Sequence, residues 1–96
     1  MVTLVGARNE PLMTAERSSG LFGIRAHSDA AALPRILDLF AQRSIVPKAL
    51  LCRLAGHHLL INIEIDTAVS GMMELLLNKL RQMPLVDRAH LVEGTA

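Results

Sequence analysis

Two carboxylates, Glu64 and Asp66, stand two residues apart in the run LLINIEID and are the first candidates for chemistry. Alternate residues of a strand point to the same face, so these side chains can share an environment, as the acid–base pair of an enzyme must. Such a pair also needs neighbours that desolvate it, and the sequence offers none. We expect both carboxylates on a solvated sheet face, so catalysis would require an additional pocket around them.

The only cysteine, Cys52, is the second candidate. It stands in the run ALLCRL, and a thiol among leucines is more often a small buried hydrophobe than a reactive nucleophile. We therefore expect Cys52 to be buried and unreactive. A single cysteine forms no internal disulfide, which is typical of a protein of the reducing cytoplasm.

The histidines are the candidate metal ligands. His57 and His58 are adjacent in a predicted turn, where they form a poor chelate. His27 and His90 are expected on neighbouring strands, but no third ligand is in view. The loop HSDAAAL contains no thiol, which excludes the Cys-x-x-Cys site of small metal chaperones. We expect no metal and no cofactor on this chain.

Composition narrows the class further. The chain has 96 residues, enough for one domain, and 51% of them are hydrophobic, which is typical of a folded core. A net charge of +1 and the absence of Trp and Tyr argue against nucleic acid as a partner, because bases stack on aromatic side chains. No apolar run is long enough for a signal peptide or a membrane span, so a cytoplasmic location is expected.

The periodicity of apolar residues predicts six elements. A strand over GLFGIRAH is followed by a helix that begins near Ala31 or Ala32, with Pro34 in its first turn and the stripe Leu33, Ile36, Leu37 and Phe40. Two strands over 48–54 and 59–66, a helix over 69–83 and a strand over 86–93 complete the chain. Residues 1–19 are predicted to be a flexible tail, or to contain a short strand over 2–5, and residues 94–96 to be a second tail.

The order strand–helix–strand–strand–helix–strand predicts a ferredoxin-like α+β sandwich over residues 20–93. Its four-stranded antiparallel sheet has the strand order 4-1-3-2 and carries both helices on one face. The second strand is then an edge, yet it is apolar on both faces. Natural proteins blunt or cover such edges, so we predict a homodimer in which this strand meets its own copy. The predicted dimer interface consists of Lys48, Ala49, Leu50, Leu51, Cys52, Arg53 and Leu54.

The pattern Leu33-x-Arg35, then Leu39-Phe40-x-x-Arg43 and a strand, resembles the ACT domain of amino-acid metabolism. The runs INIEI at 61–65 and LLLNKLRQMPLVDRAHLV at 75–92 are similar to the short small regulatory subunit of acetolactate synthase, the isozyme-two type. The resemblance implies a non-catalytic subunit that dimerises, activates a catalytic large subunit in branched-chain amino-acid biosynthesis and sometimes confers feedback inhibition. Thiamine diphosphate, Mg and FAD would be bound by that partner. The alternative is a free-standing ACT sensor of an amino acid or another small metabolite.

The resemblance also implies where a branched-chain amino acid would bind, between two protomers against the loop before the first helix. The implied contacts are Ser28, Asp29, Ala30, Ala31, Ala32, Leu33 and Val46. The family's Pro-Gly is here Ala30-Ala31, and its two asparagines are Ser28 and Val46. Effector binding is therefore expected to be weak or absent. Alternatively, Ser28 and Asp29 only shape the turn before the helix.

Overall fold

Six elements follow one another along residues 18–95, the part of the chain that this computed structural model describes. They are β1 Ser18–His27, α1 Ala32–Ala41, β2 Ala49–Ala55, β3 His58–Thr67, α2 Met72–Arg81 and β4 Val86–Thr95. The predicted order of strands and helices is confirmed. The predicted tail and the possible strand over 2–5 lie outside the described residues, except that Ser18 and Ser19 belong to β1. No helix in the described range is long and apolar enough to cross a membrane.

The four strands form one antiparallel sheet in the order β2-β3-β1-β4, as predicted. β1 and β3 are central, and β2 and β4 are the edges. The alternation within the central strands buries one of their two faces. Its fully or almost fully buried members are Phe22, Ile24, Ala26, Ile61, Ile63 and Ile65. Within residues 18–95 no helix covers the opposite face of the sheet.

Both helices place their apolar stripes on this buried face. α1 contributes Ala32, Ile36 and Phe40, and α2 contributes Met73, Leu76 and Leu80. The rings of Phe22 and Phe40 meet edge to face, with centroids 5.6 Å apart. Such a pair adds an orientation-dependent attraction to the burial of the two rings. The rest of the core is aliphatic.

The second helix is shorter than predicted, because two local features delay its start. The Thr67 Oγ1 accepts a hydrogen bond from the Val69 N–H at 3.1 Å, and Gly71 has φ of 79°, in the left-handed region. A left-handed residue ends the helical path, so α2 begins only at Met72. The prediction that Val69 starts the apolar stripe was wrong, since its side chain is 57% exposed.

Candidate functional site

The edge strand β2 is exposed along its whole length. Cys52 lies opposite Ile61, and this register places Leu50, Cys52 and Leu54 on the helix-bearing side. Leu50 and Leu54 are nevertheless 44% and 64% exposed. The prediction that Cys52 is buried was wrong, because the strand lies at the margin of the sheet, where the helices leave it uncovered.

A cleft of about 430 Å³ lies between β2 and the loop before α1. Its lining consists of Ser28, Asp29, Ala30, Leu33, Cys52, Leu54, Gly56 and Leu59. The structure thus brings four of the seven predicted effector contacts together with two predicted interface residues. Ala31 is half-buried and Ala32 is fully buried in the core, so neither lines the cleft. Val46 lies elsewhere, beside Arg43 and Asp66, and is 83% exposed.

Asp29 organises the loop before α1. Its Oδ1 accepts a hydrogen bond from the Ala31 N–H at 2.8 Å, and its backbone carbonyl accepts one from the Ala32 N–H at 2.9 Å. Pro34, in the first turn, has no N–H to offer. Two of the backbone donors at this helix start are therefore satisfied within the chain, and a negative charge lies beside them.

The carboxylates of Glu64 and Asp66 both face Lys48, whose Nζ lies 3.7 Å and 3.4 Å from them. The Glu64 side chain is 43% exposed and that of Asp66 is 23% exposed. Within the described chain, the Asp66 Oδ1 is buried and has no hydrogen-bond partner. Sequence reasoning missed this three-residue cluster, because Lys48 precedes β2 and only the sheet register brings it across.

The histidines are arranged differently from the expectation. His27 lies opposite His58, with ring centroids 6.5 Å apart, whereas His90 lies opposite Gly23. His27 and His90 do lie on paired strands, as expected, but the antiparallel register of β1 and β4 keeps them apart, so they form no joint site. Among residues 18–95 no group of three or more potential ligands is placed to hold a metal ion.

An exposed ion pair between Arg25 and Asp87 connects β1 to β4. The Arg25 Nη2 and Nε donate to the same Asp87 Oδ2 at 2.6 Å and 2.9 Å. These hydrogen bonds and the positive charge of Arg25 hold the pKa of Asp87 below its ordinary value. The register shift between Arg25 and Ala26 leaves Asp87 as the extra residue of a β-bulge. Sequence patterns do not reveal such a shift, so this pair could not be predicted.

The two arginines of the family pattern, Arg35 and Arg43, lie on α1 and just after its last residue. Asp38 of the same helix accepts a hydrogen bond from the Gln42 side chain at 2.7 Å. Arg43 donates to the Leu39 carbonyl at 3.3 Å, near the end of the helix. Arg35 is exposed on the helix surface.

Comparisons with known proteins agree with this architecture. A family model described as an ACT-like domain matches residues 14–94. The ACT domain of GTP pyrophosphokinase from Chlorobium tepidum superposes with a TM-score of 0.68 at 13% identity, covering 81% of this chain and 89% of that one. The regulatory subunit of aspartate kinase from Thermus thermophilus gives 0.60 at 11% identity, covering 81% and 52%.

A homoserine dehydrogenase from Thiobacillus denitrificans gives a TM-score of 0.65 at 16% identity, covering 82% of this chain and only 17% of that one. At these identities the three structures show a shared fold. No protein of curated function matches the sequence significantly.

Proposed function

Because the chain belongs to the ACT-like domain family, we propose that it is a non-catalytic regulatory subunit that dimerises through β2 and controls a larger enzyme. The observation that carries the proposal is the bare apolar edge. All seven residues of β2 are exposed, and only Arg53 among them is charged. An edge of this kind is a template for pairing with another chain, and a two-fold copy is the simplest partner.

An antiparallel pair of β2 strands would also complete the cleft. Cys52 and Leu54 line it toward the carboxyl end of β2, whereas Val46 precedes the amino end. A two-fold axis through the strand brings one end of β2 against the other end of the partner's β2. Val46 would then approach the partner's cleft, which accounts for its distance from the loop within one protomer.

The cleft is poorly equipped for the carboxylate of an amino acid. The side chain of Asp29 already accepts from the Ala31 N–H, and its charge would repel a second carboxylate. Ala31 also carries a Cβ atom where the family has glycine. We therefore propose weak or absent feedback binding. Calorimetric titration with valine, leucine and isoleucine should give no saturable heat below millimolar concentration, and a micromolar signal from any of them would refute the loss.

The catalytic partner that the sequence pattern supports best is an acetolactate synthase large subunit in the cytoplasm, with thiamine diphosphate, Mg and FAD bound there. A tagged chain in lysate of the native cell should recover that enzyme, and adding the purified chain should raise its turnover. The Val92→Lys variant, altered on the β4 edge of the sheet, should recover the enzyme as well as the unmodified chain does. Recovery of an enzyme of different chemistry would contradict this assignment.

The cleft itself favours a second candidate, a free-standing sensor of a small metabolite at the dimer interface. Its volume of about 430 Å³ suits a small molecule. The same pull-down distinguishes the two functions, because a sensor would be recovered as a dimer without a catalytic subunit.

A further inference from the structure

Three arginines lie in one row across the helix-free face of the sheet. In the register, Arg53 of β2 faces Leu60 of β3, Leu60 faces Arg25 of β1, and Arg25 faces Arg88 of β4. Cross-strand partners point to the same side of a sheet. The row therefore places three guanidinium groups on a single open surface, with one leucine among them.

The adjacent row of cross-strand residues forms the base of a cleft on this face. It runs from Leu51 through Asn62 and Gly23 to His90. The His90 ring lies across Gly23, where any Cβ would collide with its ring atoms. Glycine thus lets the imidazole lie flat against the strand. The two rows enclose an open cleft of about 400 Å³ on this face.

The cleft contains more positively charged side chains than there are carboxylates paired with them. Asp87 pairs with Arg25, and the carboxylates of Glu64 and Asp66 are held by Lys48. Within residues 18–95 no carboxylate lies within ion-pairing distance of Arg53 or Arg88. Arg25 and Arg88 are directly opposed, and like charges in such a pair destabilise a sheet. Asp87 neutralises only Arg25, so Arg88 and Arg53 remain available to bind an anion.

We propose that this arginine row binds a small dianion whose two charged groups are joined by a short apolar body. One group would be held by Arg88 and Arg25 beside His90, and the other by Arg53 beside Asn62. Arg53 and Arg25 are two strand spacings apart, about 10 Å, which long side chains reduce for a ligand of a few carbon atoms. Arginine forks match phosphate and carboxylate oxygens equally well, and the leucines of the two rows suit the apolar body.

The site is built from one protomer. Edge-to-edge pairing of β2 uses backbone groups and leaves the side chains on this face in place. The dianion site is therefore distinct from the cleft beside α1, and it stands or fails independently of the regulatory function proposed above.

Two probes test the site and distinguish phosphate-like from carboxylate chemistry. They are butane-1,4-diphosphonate and adipate, which carry their charged groups on the same four-carbon body, and each is titrated into the isotope-labelled full chain at constant ionic strength. The amide signals of Gly23, Asn62 and His90 should shift saturably with at least one probe, and the tighter probe identifies the preferred group. Arg88→Gln and Arg53→Gln should each weaken binding about fivefold or more, since each removes a charge-assisted contact. Both side chains are exposed, so the variants should fold.

Arg35→Gln is the matched control, because it removes one positive charge from the surface of α1. It should leave the dissociation constant within about twofold. Shifts that do not saturate below about 10 mM would overturn the proposal, because they would indicate only a general ionic effect. An equal loss in Arg35→Gln and Arg88→Gln would do the same, because it would show attraction to net charge alone.

Discussion

The two edges of the sheet are protected in different ways. At the β4 edge, α2 packs against the strand, Val86 and Ala89 are buried, and Asp87 sits in a bulge that is fixed by Arg25. Bulges and charges are the usual means of preventing uncontrolled strand pairing. At the β2 edge, all seven residues are exposed and apolar side chains point to both faces. The contrast supports our proposal that β2, unlike β4, is covered by a second copy of the chain.

The largest expected difference between the two edges is in packing. Leu80 on α2 is fully buried, so Leu80→Ala should cost about 3 kcal/mol of unfolding free energy at any protein concentration. Leu54→Ala on β2 should destabilise only where the dimer is populated, so its cost should grow with concentration. Urea unfolding at two concentrations about a hundredfold apart measures both. Equal costs at the lower concentration would mean that β2 packs into the core of a single protomer.

Lysine substitutions on the two edges should give the second-largest difference, in their effect on dimerisation. Leu54 and Val92 are 64% and 61% exposed, so neither replacement should unfold the chain. Leu54→Lys should weaken dimerisation about 100-fold, or about 2.7 kcal/mol, because its ammonium group would be covered by the apolar partner strand. Val92→Lys should change the dissociation constant less than about threefold. Light scattering across a dilution series gives both constants, and equal losses would remove the distinction between the edges.

The native cysteine, Cys52, allows the position of the proposed two-fold axis to be tested. Cys52 is the central residue of Ala49–Ala55, so a two-fold axis through the middle of β2 would bring it opposite its own copy. Antiparallel neighbours have Cα atoms about 4.5–5.5 Å apart, which a disulfide can span. Mild oxidation should therefore give a covalent dimer on a non-reducing gel. The double variant Cys52→Ser with Val92→Cys moves the thiol to β4 and should remain uncrosslinked, and crosslinking there would place the interface on the wrong edge.

The smallest effect concerns the charge that closes the β4 edge. The pKa of Asp87 is lowered in the folded chain, first by the hydrogen bonds from Arg25. The stabilisation from this pair is therefore complete above the ordinary aspartate pKa of about 4, and it is lost as the pH falls through the lowered value. In Arg25→Gln the carboxyl signal of Asp87 in an NMR titration should move back toward pH ~4. Arg35→Gln should leave it unchanged, and an unshifted Asp87 in Arg25→Gln would contradict the assigned cause.

Element order and the start of α1 could be predicted from the sequence because they follow from short-range patterns, and the sheet order then followed from the order of the elements. The alternation over 59–66 gave β3, and the stripe with Pro34 in the first turn gave α1. The pairing of particular residues across strands could not be predicted. One register shift next to Arg25 creates the Asp87 pair, and no local pattern announces it.

The candidate effector site was predicted only in part, because residues close in sequence could be identified and contacts across the fold could not. Ser28, Asp29, Ala30 and Leu33 are close in sequence and meet in one cleft. Val46 lies in a separate pocket and would reach that cleft only from the partner in the proposed dimer. Cys52 was misjudged because leucine neighbours indicate burial only where something covers the strand. The effector and interface assignments remain predictions.

Sedimentation equilibrium of the purified chain tests the central claim most directly, because it measures mass without labels or substitutions. Pairing through β2 predicts a reversible species of twice the 10.5 kDa chain mass at micromolar concentrations. A species of 10.5 kDa that persists at millimolar concentration would contradict the covered edge and, with it, the regulatory subunit.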